Sequence, residues 1–149
     1  MLIIYVALFA SGAIATLGGL RWWLRVNRRR VQRLVADGQA DWAALCRVAE
    51  GARYLEGAQP SGSRLPPTGV MSVQGDRLTW SPGRADQRRG HHAAALSLSG
   101  FRCQRVSFHR DITGTAVREV HLTLAGDPIV LFLYAESGSA PGLIEKSRP

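Results

Sequence analysis

Six arginines crowd one short stretch of the chain with no acidic residue among them: Arg21, Arg25, Arg28, Arg29, Arg30 and Arg33. Guanidinium groups hold phosphate oxygens bidentately, and their long stems let them snorkel from an apolar surface to a lipid phosphate. A second basic group, Arg84, Arg88 and Arg89, lies in the most polar segment, PGRADQRRGHH at 82–92. Near a membrane such a loop contacts anionic headgroups. The plainer reading is a solvated connection. Both groups suit binding of anionic partners better than catalysis.

Other chemistry finds little support. His91 and His92 are adjacent, and neighbours on an extended chain point in opposite directions, so they do not chelate together. A structural or solvent-exposed role fits them, and no metal is expected. There is no Gly-x-Ser-x-Gly elbow, and Ser97 and Ser99 sit in plain alternation. Gly18-Gly19 lies in an apolar run, not in a phosphate-cradling loop. Asp76, Asp111 and Asp127 fall at turns, where backbone hydrogen bonding accounts for them. Trp80 and Phe108 read as core, so a base-stacking platform is missing and no nucleic-acid partner is expected. Cys46 and Cys103 match no metal spacing and read as small, reduced, buried residues. These observations predict no enzyme, no catalytic residue and no cofactor.

The elements that position the arginines begin with an uncharged run. Residues 1–20, MLIIYVALFASGAIATLGGL, as a helix would span roughly 30 Å, the thickness of a hydrocarbon core. Trp22 and Trp23 follow, as indoles do at a headgroup interface. The formal net charge is +8, and most of it sits beside this run. The reading is a transmembrane helix over 1–24 whose interface residues are Arg21, Trp22, Trp23, Arg25, Arg28, Arg29, Arg30 and Arg33. Positive charge stays inside, which places the N-terminus outside and the C-terminal domain in the cytoplasm of a single-pass cell-membrane protein. A cleaved signal peptide competes, with Ala13-Ile14-Ala15 as its small-residue site, but the basic leader is missing. Ala7, Ser11, Ala15 and Gly19 recur every fourth residue, a helix-packing face suited to a homodimer or a membrane-protein partner.

Residues 25–57 read as basic juxtamembrane and amphipathic helices. Asp37-Gly38 stops the first, and Asp41 caps a second whose stripe is Trp42, Leu45, Cys46, Val48 and Ala49. Residues 58–68 form a Pro/Gly/Ser linker. Period-two alternation then takes over: Met71 and Val73, a turn at Gly75-Asp76, Leu78 and Trp80, Leu96 and Leu98, Val106 and Phe108, a turn near Gly114, then Val120, Leu122 and Leu124. After a turn at Gly126-Asp127-Pro128, Ile129–Tyr134 is apolar on both faces and reads as a central strand. The β domain covers 69–136, and 137–149 is a flexible tail.

The order GVMSVQGDRLTWSP, basic loop, ALSLSGFRCQRVSFHRD, then VHLTLAGDPIVLFLYAES resembles the bacterial pleckstrin-homology-like domains. It is similar to those of uncharacterised single-span membrane proteins of actinobacterial type, over residues 69–136. The resemblance implies a bent antiparallel sheet closed at one end by a C-terminal helix. The segment after Tyr134 is too short for that cap, which leaves the 41–56 helix to plug the end. The expected fold is mainly β with N-terminal helices: a transmembrane helix, an amphipathic helix and a pleckstrin-homology-like barrel or sandwich of about six strands. The expected role is a membrane-anchored binding or scaffold module that meets a bilayer with anionic lipids, or an accessory subunit of a larger membrane complex.

Overall fold

The computed structural model describes residues 2–56, 66–111 and 113–145, with the backbone alone at 2–15, 17 and 20. A long helix α1 (Leu2–Ala36) leads into strand β1 (Trp42–Glu50) and a short helix α2 (Ala52–Glu56). Strands β2 (Thr68–Gln74) and β3 (Arg77–Pro82), helix α3 (Arg84–Gln87) and strand β4 (Ala94–Ser97) follow. A 3-10 turn, Leu98–Gly100, enters β5 (Phe101–Arg110), and β6 (Ala116–Leu124), β7 (Asp127–Gly138) and α4 (Gly142–Glu145) complete the described chain.

All seven strands form one antiparallel sheet in the order β4-β3-β2-β1-β7-β6-β5. The two outermost strands, β4 and β5, are joined by the three-residue 3-10 turn, so the sheet curls round a single core. Inward residues of every strand from β3 to β5 meet there, among them Trp42, Met71, Trp80, Val120, Leu131 and Phe101. Leu55 of α2 and Ile144 of α4 join the same core and are buried. Tight turns set the register. Gly75 (φ 58) turns β2 into β3, and Ala125 and Gly126 (φ 53 and 92) turn β6 into β7 with the paired positive φ of a hairpin turn.

The second helix expected over 41–56 is a correction: β1 is the middle strand of the sheet, hydrogen-bonded to β2 and β7. Its residues 42–46 are all buried, because Trp42, Ala44 and Cys46 face the core while Ala43 and Leu45 lie under α1. A strand covered on both faces is apolar throughout, and a short apolar run fits a helical stripe equally well. Asp41 caps no helix; its carboxylate accepts the Gly75 N–H at 2.7 Å and pins the β2–β3 turn. The count of about six strands is likewise corrected to seven.

The transmembrane segment over 1–24 is overturned. Among the described residues no helix is long and apolar enough to cross a membrane. The single-pass placement, with its outside N-terminus and cytoplasmic domain, rested on that span and goes with it. What α1 buries, where its side chains are described, is one stripe against the sheet: Val31 is sealed with Ala43, Leu45 and Val70, and Trp23, Leu24, Leu34 and Val35 pack around them. The helix ends at Ala36, and Gly38 (φ 68) follows in the left-handed conformation of a helix stop.

Candidate functional site

The packing of α1 sorts its residues into two faces. Positions 24, 27, 31, 34 and 35 fall at the three- and four-residue spacing of one side and turn to the sheet. Arg21, Arg25, Arg28, Arg29, Arg30 and Arg33 are all exposed. The two tryptophans part company: Trp22 is 66% exposed, while Trp23 folds down beside Leu24 and its carbonyl accepts the Asn27 amide at 2.9 Å. Val26, also exposed, stands one turn after Trp22. Of the small-residue face, Gly19 is exposed with open space around it, and Ala7, Ser11 and Ala15 lie outside the residues whose side chains are described.

The polar stretch 82–92 is built rather than loose. The Asp86 carboxylate is buried; it accepts the Thr68 N–H at 3.0 Å and an Arg89 N–H at 3.2 Å. Gln87 Nε2 donates to the Pro82 carbonyl at 3.0 Å, and the Gly83 N–H donates to the Thr68 carbonyl at 2.8 Å. The fold therefore separates the three loop arginines. Arg89 is drawn to Asp86 and lines a groove, whereas Arg84 and Arg88 stay exposed outside that lining. His91 is buried against Glu56 and His92 is exposed, so the two histidines do not act together.

That groove has a cavity volume of about 820 Å³ and lies on the outer face of the sheet. Trp23 and Leu24 of α1 form one wall, and Asp86 and Arg89 after Thr68 form another. The floor is Arg47 of β1 with Phe132 and Tyr134 of β7. Register explains the floor: Arg47 pairs with Phe132 and Leu45 with Tyr134, so these side chains share a face. The Arg47 guanidinium sits over the Phe132 ring, 6.0 Å from its centroid. Burial pushes the Tyr134 phenol above its ordinary value against the pull of the Arg47 charge. At the far end, burial works to raise the Asp111 carboxyl. The Thr113 hydroxyl, the Thr115 and Thr113 N–H groups and His109 outweigh it, and the net shift is downward. Nothing in the sequence pattern marked Arg47 or Tyr134; only cross-strand pairing brings them together.

Further along the same face, Glu119 gathers His121 at 2.6 Å, Arg105 at 3.7 Å and His109 at 3.8 Å. His121 is a same-face neighbour two residues along β6, and Arg105 and His109 reach Glu119 from the paired strand β5, which suffices to explain the cluster. No group of three metal-binding side chains occurs among the described residues. Phe108, expected in the core, is 56% exposed with the Arg118 guanidinium 5.0 Å over its ring. Ser97 and Ser99 cap a turn: the Ser97 hydroxyl donates to Asp76 and the Ser99 N–H to Asp76 Oδ1 at 3.1 Å.

No family model, no curated protein and no solved structure matches the chain. The resemblance to pleckstrin-homology-like domains therefore rests on the residues of 69–136 alone.

Proposed function

We propose that this chain is a non-catalytic binding module that engages anionic lipid headgroups through the arginine face of α1. The observation that carries the reading is the sorting of that helix. One side is buried on the sheet, which holds the helix at a set angle, and the six arginines are exposed with no carboxylate among them. Basic residues near an anionic surface contribute about 1 kcal/mol each. Trp22 and Val26 add apolar side chains that can settle into the headgroup region beside the arginines. Arg84 and Arg88 supply further exposed positive charge from the α3 segment.

Vesicle flotation of the full chain tests this. Vesicles containing phosphatidylserine should carry the protein upward far better than neutral phosphatidylcholine vesicles, and added salt should weaken the association. Changing Arg25, Arg28, Arg29 and Arg33 together to Gln should remove the dependence on anionic lipid. A second quartet, in which Arg84 and Arg88 are changed with His92 and Arg102, should weaken it less. Equal flotation on both vesicle types would overturn the reading. In that case membrane proteins that co-purify with the chain would favour an accessory subunit of a larger complex.

A further inference from the structure

We propose that the groove floored by Arg47, Phe132 and Tyr134 is a binding site for a small organic anion with a flat apolar body, of the aryl carboxylate class. This site is separate from the exposed arginine face of α1. Its volume of about 820 Å³ lies within the range of small-molecule pockets.

The charge in the groove favours an anion because both of its carboxylates are already occupied. Asp86 is held by the Thr68 amide and Arg89. Asp111 is held by the Thr113 hydroxyl and N–H and the Thr115 N–H. Arg110 donates to the Gly114 carbonyl. Arg47 is exposed over the Phe132 ring, and among the described residues no carboxylate lies within ion-pair distance of it or of Arg110. A guanidinium presents a rigid fork of donors that matches a carboxylate in two parallel hydrogen bonds. Tyr134 lines the same groove on the same face of the sheet as Arg47, and its phenol O–H is a donor for the bound anion.

The apolar part of the ligand also has its place. Phe132 lies beneath the guanidinium, and Trp23 and Leu24 rise from α1 on the opposite side. A flat body between them gains stacking contacts at little conformational cost. Inorganic phosphate would leave the aromatic walls unused.

The test compares 2-naphthoate with its uncharged analogue 2-naphthamide by equilibrium dialysis against the full chain. The carboxylate should bind more tightly by roughly tenfold, the difference set by a charge-assisted pair of hydrogen bonds. Arg47→Gln should abolish that preference and leave 2-naphthamide binding in place. Tyr134→Phe should reduce it severalfold, and Phe132→Ala should weaken both compounds. Arg29→Gln, on the exposed face of α1, should leave the preference intact. Equal affinity for the two compounds, absence of saturable binding, or a preference that survives Arg47→Gln would each overturn the proposal. Loss of the preference on Arg29→Gln would instead assign the naphthoate to the arginine face.

Discussion

His91 Nδ1 lies 2.8 Å from Glu56 Oε1, and the two side chains are 1% and 2% exposed. The pair ties α2 to the segment that follows α3, across the end of the sheet where Trp80 Nε1 donates to the same Glu56 oxygen at 3.4 Å. Removing one member of such a pair leaves a buried polar group without its partner.

Glu56→Ala and His91→Ala should each destabilise the fold by about 3 kcal/mol. Because the two groups share one interaction, the double variant should cost clearly less than the two single changes added together. Urea unfolding of the four proteins measures this, and strictly additive losses would show that the contact contributes nothing.

Gly138 and Gly126 separate backbone strain from collision. Both adopt positive φ, 84 and 92. A methyl group at Gly138 would strike the Asp41 carbonyl, whereas nothing stands within 4 Å of one at Gly126. Gly126→Ala should therefore cost about 1 kcal/mol, the left-handed strain alone. Gly138→Ala should cost several times more, since the Asp41–Ser139 crossing must also open. Comparable losses in thermal unfolding would contradict the distinction.

Two carboxyls should give opposite dependences on pH. Asp111 titrates below its ordinary value, so the stability it lends is complete above the usual carboxylate range and is lost as pH falls through the lowered value. Asp111→Asn should be the less stable protein at neutral pH, with the gap closing in acid. Glu136 titrates above its ordinary value because burial outweighs the pull of Arg118, which lies 3.0 Å from it. Its contribution is complete below the usual range and is lost as pH rises through the raised value. Glu136→Gln should then be at least as stable as the parent at neutral pH, and the gain should vanish on acidification. Chemical unfolding from about pH 3 to about pH 8, through and above the range of carboxylate titration, would expose either sign as wrong.

Cys46 should be inert in the folded protein. It is fully buried in the core, and burial pushes its thiol far above the ordinary range. The thiolate is the reactive form. Iodoacetamide should label Cys46 only when denaturant opens the sheet, so rapid native labelling at that position would contradict its placement.

How far the sequence reached is clearest in three places. The β2–β3 turn at Gly75 and the helix stop at Asp37-Gly38 were legible, because positive φ favours particular residues whatever surrounds them. The interior place of Ile129–Tyr134, between β1 and β6, was legible too from its apolar run, although only Ile129, Leu131 and Leu133 are buried while Val130, Phe132 and Tyr134 are half-buried on the outer face. The same logic concealed β1: WAALC is apolar on every side, and periodicity cannot tell such a strand from a buried helix.

By itself the sequence determined the turn at Gly75, the helix stop at Asp37-Gly38, the mainly β character and the clustering of arginines, since these depend on neighbours along the chain. Tertiary structure alone decided which helix face is buried, why Arg84 and Arg88 part from Arg89, and that Arg47 meets Phe132 and Tyr134. Strand order and register join residues dozens of positions apart, and side-chain chemistry along one chain does not encode which strand lies beside which until the whole sheet closes on its core.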